Sequence, residues 1–166
     1  SLPITEQNGK PAVLTFDGDT YQGLGAPSFS VEDLRYAQAT LGILSGLYGI
    51  LRPLDLIQPY RLEMGTRLKN KRGNNLYSFW GDRITETIND YLKESKSSTL
   101  VNLASNEYFK SVTTKKIAGT VITPHFKEIK NDTPKVVGFF AKRARGMMAR
   151  YMIQNRLRDP EKLKAF

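Results

Sequence analysis

Apolar residues recur at helical spacing in three stretches of this chain and gather into short runs between them. Leu34, Ala37, Leu41 and Leu44 lie three or four residues apart, behind Ser30 and Asp33, which read as an N-cap and an acid at the third helical position. The pattern predicts a helix over 30–45, stopped at Gly46. Ile84, Ile88 and Leu92 share one face of a second helix, over 78–92. A third helix is predicted over 141–157, with Phe140, Ala144, Met147, Met148 and Tyr151 on one face. Lys142, Arg143, Arg145, Arg150 and Arg156 spread over its opposite face.

Between the helices the runs have β character. Residues 12–16 read as a strand closed by the turn Asp17-Gly18-Asp19, residues 60–64 as a short strand, and 100–103 as a buried one. Residues 120–129 and 135–140 flank the turn Asn131-Asp132-Thr133-Pro134 and predict a hairpin. Residues 66–75 form a polar, basic loop, and Pro160 opens a final short turn. With no internal repeat, low-complexity segment or linker, these elements predict a single domain over 1–166, α+β or mixed α/β in class.

The stretch LSGLYGILRPLDLIQPYRLEMG, residues 44–65, places polar groups densely among leucines. Gly46 and Gly49 bracket a tight turn suited to presenting backbone N–H groups. Pro53 and Pro59 bias Arg52 and Gln58 towards extended geometry. The segment reads as a shaped loop carrying Arg52, Asp55, Tyr60, Arg61 and Glu63, the kind of irregular segment where binding residues concentrate.

Composition narrows the function classes. The 40% hydrophobic and 25% charged content of the 166 residues is that of a globular chain with a core of its own, which excludes disorder. No apolar run reaches the roughly 18 residues of a membrane helix, and no signal peptide is visible. With no cysteine there is no disulfide, thiolate metal site or cysteine nucleophile, which suits a cytoplasmic protein and one exposed to peroxide. The net charge of +9 is asymmetric: residues 1–60 carry three Lys/Arg against six Asp/Glu, and 61–166 carry 22 against 10. Such a field attracts polyanions.

The last predicted helix carries the plainest chemical signal, since no acid falls between Pro134 and Arg158. It reads as a phosphate-contacting face, or as a solvated basic surface. The turn Gly46-Leu47-Tyr48-Gly49, after a helix, is similar to the hairpin of helix–hairpin–helix motifs, although two residues rather than one separate its glycines. A plain helix C-cap at Gly46 explains much of the same sequence. Asn102 to Lys110 places polar groups just past a buried strand; Ser105 reads as an N-cap with Glu107 in the first turn, and Lys110 adds positive charge. Trp80 reads as core with its N–H satisfied and Asp82 as an early-turn charge. His125, the only histidine, is expected to pack within the 120–129 strand. No phosphate-loop, nucleophile-elbow or zinc-protease motif is present, and Asp17 with Asp19 reads as a turn rather than a calcium loop. No metal and no cofactor is expected.

The 44–65 run, with FWGD at 79–82, NLASNEYFKSV at 102–112 and AKRARGMMARYMIQNRL at 141–157, resembles the YaaA family of bacterial peroxide-stress proteins. The resemblance extends over essentially the whole chain. It implies a cytosolic protein of the oxidative stress response, linked to iron control and DNA protection, that binds DNA. It also implies a mixed α/β fold with a basic cleft and a helix–hairpin–helix element, with no catalytic activity firmly attached. Family members have an N-terminal stretch before this region and a short tail after it, so a chain opening at Ser1 without an initiator Met is expected to be a fragment.

Two functional expectations follow. In the first, DNA phosphates are contacted by Gly46, Tyr48 and Gly49 of the turn and by Arg52, Arg61, Lys110, Lys142, Arg143, Arg145 and Arg150. Binding would then depend steeply on salt and weakly on sequence; a preference for bent, nicked or branched DNA rests on the resemblance. In the second, an enzyme or small-anion-binding protein uses the same cleft. Arg52, Arg61 and Lys142 hold a phosphate or carboxylate there, and Glu63, Glu107 or Tyr108 does proton chemistry. Convergence of carboxylates and cations in a deep pocket would favour the second, and an open basic groove the first.

Overall fold

Ser30 caps a helix as its position predicts: its hydroxyl accepts the Asp33 N–H at 3.0 Å, and Asp33 in turn accepts the Ser30 N–H. The structure is a computed structural model, and it describes residues 3–130, 133–135 and 138–166. In chain order its elements are β1 (Lys10–Pro11), α1 (Ala12–Thr15), α2 (Asp19–Leu24), α3 (Val31–Thr40), β2 (Ile43–Ser45), β3 (Gly49–Leu51) and β4 (Leu56–Ile57). There follow α4 (Leu76–Trp80), α5 (Arg83–Glu94), β5 (Thr99–Val101), α6 (Asn106–Phe109), β6 (Thr120–Ile122), β7 (Glu128–Lys130), β8 (Thr133–Lys135) and α7 (Gly138–Gln154). Strands pair two by two: β1–β4, β2–β3 and β7–β8 antiparallel, and β5–β6 parallel. The class is mixed α/β, and among the described residues no helix is long and apolar enough to cross a membrane.

Several elements differ from the sequence reading. The run 12–16 is one helical turn, not a strand, because Pro11 opens it and the Ala12 and Val13 N–H groups bond Asp55 O and Pro53 O across the fold. Five apolar residues have no period that separates the two states. Helix α3 ends at Thr40, five residues early, and 43–51 turns back as a β-hairpin. The helix–hairpin–helix expectation fails here, because the 46–49 turn joins two strands. Residues 60–64 form no strand, and the second helix is broken by Gly81, at φ 52°, into α4 and α5. The hairpin expected around 131–134 pairs Glu128–Lys130 with Thr133–Lys135, while Asn131 and Asp132 lie outside the described residues. His125 is exposed between β6 and β7 rather than packed within a strand.

The hairpin divides two cores. Ile43 and Leu51, paired across it, belong to a core with Val13, Leu24, Ala37 and Ile153. Leu44 and Ile50, the next pair, pack instead on a core with Met64, Leu76, Ile84, Ile88 and Val112. The two-residue period of a strand sends alternate side chains to opposite faces, so one hairpin closes both cores.

Helix α7 buries a different face from the one its large apolar residues suggest. Phe140 and Met147 are exposed, whereas Ala141, Gly146, Met148, Ala149 and Ile153 are buried. The cause is a backbone-to-backbone crossing with α2. A Cβ on Gly146 would lie 1.8 Å from Thr20 O, and one on Gly23 would lie 2.2 Å from Arg143 O. Only small residues fit a helix contact this close.

Candidate functional site

Helices α2 and α7, the 57–63 segment and the residues following β5 enclose a cleft of about 1400 Å³. The chain past the C-terminal end of β5, beside its parallel partner, lines it with Asn102, Ser105 and Asn106, the side on which sheets with parallel strands place ligands. Asn102 is buried and spent on structure, accepting the Ala104 N–H at 3.0 Å and donating to Thr123 Oγ1 at 3.3 Å. Ser105 caps α6 as expected. The lining is mixed in sign rather than uniformly basic: Asp17, Asp19, Glu63 and Glu107 stand with Arg52, Arg61, Lys142 and Arg145.

The structure separates the candidate cations by what they already bind. Arg52 is committed, since its guanidinium donates to Gln38 O at 3.0 Å, pairs with Glu94 and lies 3.9 Å from the centre of the Tyr91 ring. Its N–H meets Asp55 at 2.8 Å, which braces the loop as a structural pair would. Arg150 is committed too, donating to Leu24 O at 3.1 Å and Gly25 O at 2.9 Å, over the Phe29 ring. Lys110 stands outside the cleft, over the ring of Tyr77. Arg143 is exposed beside the cleft, while Lys142 and Arg145 line it with Arg61. Among the described residues, none of Arg61, Lys142, Arg143 and Arg145 forms an ion pair.

The glycine turn packs against the interior of the fold. Gly46 and Gly49 are both buried. A Cβ on Gly46 would meet Leu62 O at 2.3 Å, and Gly49, at φ +78°, lies under the Trp80 ring. Trp80 donates its ring N–H to Gly46 O at 3.0 Å, so the tryptophan is satisfied core, as expected. The Tyr48 N–H of the turn goes inward, to Ser45 Oγ at 3.0 Å. Asp82 opens α5 and is held by Thr113 and Lys116, which keep its carboxyl below the usual range, Lys116 most strongly.

The three proton-transfer candidates do converge. Tyr108 donates to Glu63 Oε2 at 2.9 Å; burial first, and this carboxylate second, push its phenol pKa up and keep it protonated. Glu107 lines the same cleft but accepts the Gly65 N–H at 2.9 Å, bracing the 63–65 turn. The sequence places Tyr60 on the shaped 44–65 loop but assigns no binding role to Tyr21, Phe16 or Ser45. Phe16 stacks on Tyr21 with ring centres 5.4 Å apart and meets Tyr60 edge-on at 6.0 Å, forming an aromatic wall to the cleft. Burial raises the pKa of Tyr21 and Tyr60. The density of tyrosines was the only trace of this wall in the sequence. No group of three His, Cys, Asp or Glu among the described residues has the geometry to hold a metal.

A family model described as peroxide stress protein YaaA matches residues 3–166. The chain belongs to the YaaA family. Similar curated relatives are the UPF0246 proteins of Saccharophagus degradans, 58% identical over 166 residues, and of Ralstonia pickettii, 57% identical over 166. Another is the UPF0246 protein of Neisseria meningitidis serogroup A, 56% identical over 166 residues. Each alignment covers 100% of this YaaA chain and 64–65% of the relative, so the chain spans just under two thirds of the curated relatives it matches.

Proposed function

We propose that this YaaA-family chain is the phosphate-contacting part of a cytoplasmic DNA-binding protein of the peroxide stress response, helping to limit iron-dependent damage to DNA. The observation carrying the proposal is that Lys142, Arg143 and Arg145 sit on one helix, with no acid from 135 to 158 in sequence and no ion pair among the described residues. Unpaired like charges repel one another unless an anion offsets them. Arg61 joins them across the cleft. Lysine and arginine contacts to phosphate position a duplex without reading its sequence. Arg52, Arg150 and the Tyr48 N–H are left out of this proposed contact, because these groups are already bonded within the fold.

The test is binding of the full-length protein to a fluorescent duplex across a salt series, beside the double variant Arg143→Glu/Arg145→Glu. The expected result is a steep loss of affinity with salt, made shallower by about one to two phosphate contacts in the variant. An identical slope in the two proteins would refute contact by this helix. A second reading, an enzyme or small-anion-binding protein, draws on the convergence of Glu63, Tyr108, Arg61, Lys142 and Arg145 on one cleft.

A further inference from the structure

The burial of Ser45 favours one direction for the proton of Tyr60. Ser45 is fully buried, its Oγ accepts the Tyr48 N–H, and among the described residues the Tyr60 phenol oxygen is the one acceptor its own proton bonds. Were Tyr60 the donor, Ser45 would hold a buried, unpaired proton, which is costly. With Ser45 donating to that oxygen, the Tyr60 proton is left to turn into the cleft that its ring lines. Beside it, one oxygen of Glu63 takes the Tyr108 proton, and the other accepts no hydrogen bond among the described residues. This corner therefore offers a donor and an acceptor side by side next to the Phe16–Tyr21–Tyr60 wall. The crossing of Gly146 over Thr20 sets Lys142 and Arg145 along the same cleft as Tyr21, and Arg61 follows Tyr60 directly.

We infer that this corner is a binding site for one nucleotide unit. Its heterocycle lies against Phe16, Tyr21 and Tyr60, the Tyr60 hydroxyl and Glu63 read its polar edge, and Arg61, Lys142 and Arg145 hold its phosphate. Flat π surface, a paired donor and acceptor, and unpaired cations are what a base with a phosphate needs together. An acidic peptide would leave the aromatic wall unused, and a lipid would leave the donor–acceptor pair unused. The unit is either a free nucleotide or one extruded from DNA. The proposal shares Lys142 and Arg145 with the DNA-binding reading; the base subsite stands apart from it.

The test titrates the full-length protein with adenosine 5′-monophosphate, cytidine 5′-monophosphate and ribose 5-phosphate, and separately with a duplex carrying one 2-aminopurine. A nucleotide binding at least about tenfold tighter than ribose 5-phosphate is expected, reflecting the stacked base. Glu63→Ala, at an exposed position, should cut that ratio about fivefold or more, as should Tyr60→Phe, which keeps the ring. A 2-aminopurine response without free-nucleotide binding identifies extruded DNA as the source and also supports the site. Equal binding of ribose 5-phosphate and the nucleotides, a ratio unmoved by both variants, or silence from every probe would overturn it. Duplex binding with a silent base subsite defeats this inference alone, and nucleotide binding without duplex binding defeats the DNA reading alone.

Discussion

Replacing Gly146 by Ala tests the helix crossing on which the cleft is built. The added Cβ would sit 1.8 Å from Thr20 O, 2.8 Å from Thr20 C and 2.7 Å from Leu24 N, all of them backbone atoms with no side-chain freedom to yield. Helices α2 and α7 must therefore part by more than about 1 Å, well beyond what a packed interior absorbs. Overpacking costs about 1–3 kcal/mol in ordinary cores and more against backbone. Parting also strains the Arg150 bonds to Leu24 O and Gly25 O, each of the charge-assisted kind that contributes about 1.5–3 kcal/mol. Against this, alanine gains about 1 kcal/mol of helix propensity over glycine. The net expectation is a loss of about 3 kcal/mol, or roughly 6–12 °C in Tm for a chain of this size. Thermal and urea unfolding would measure it, with Gly138→Ala in the same helix as control, because a Cβ there meets nothing within 4 Å. The control should be neutral or slightly stabilising. A Gly146→Ala protein as stable as the control would refute the close crossing.

Two further outcomes follow from committed side chains. Arg150→Ala should lower stability by about 1.5–3 kcal/mol in urea unfolding while leaving duplex affinity per folded molecule unchanged, since its guanidinium is bonded to α2; lost affinity at full stability would place it in the binding surface instead. Asp33 has its pKa lowered, first by its bond to Arg156 (the pair is 2.8 Å apart) and then by the Ser30 cap, burial acting against both. A depressed carboxylate contributes stability above its unfolded pKa and loses it as pH falls through the folded one. The Tm gap between wild type and Asp33→Asn should be full near neutrality and close below about pH 4. A gap independent of pH would show that the carboxylate charge is not what holds that corner.

What was legible in the sequence is what local chemistry decides. Ser30 with Asp33, Ser105 with Glu107, and the Ile84–Ile88–Leu92 stripe each follow from contacts within a few residues, and each is found. The helix expected to run to residue 45 failed because Leu41 and Leu44 fit a helical period equally well, while Ile43, Ser45 and Leu51 are placed by pairing that no local signal carries. The face of α7 was misread because large apolar residues were weighed above small ones. It is the glycines and alanines that admit α2. For the site, Glu63, Glu107, Tyr108, Arg61, Lys142 and Arg145 do share one cleft. Arg52 and Arg150 could not be set aside from sequence, since their acceptors, Gln38 O and Leu24 O, are backbone carbonyls 14 and 126 residues away. Tyr60 was placed on the shaped loop, but its orientation could not be read, because it depends on Ser45, 15 residues earlier.

The hairpin of β2 and β3 couples the two cores it separates. Because Ile43 and Leu51 belong to one core and Leu44 and Ile50 to the other, neither half can melt and leave the shared partition intact. Loosening either side strips one face of a ribbon that is only marginally stable without both. The amides of 43–51 therefore belong to the last segment to exchange with solvent, opening only when both cores unfold. A ligand that settles in the cleft against Tyr60, hydrogen-bonded as it is to Ser45 at the end of β2, would be felt in both halves as slower global unfolding rather than as local stiffening.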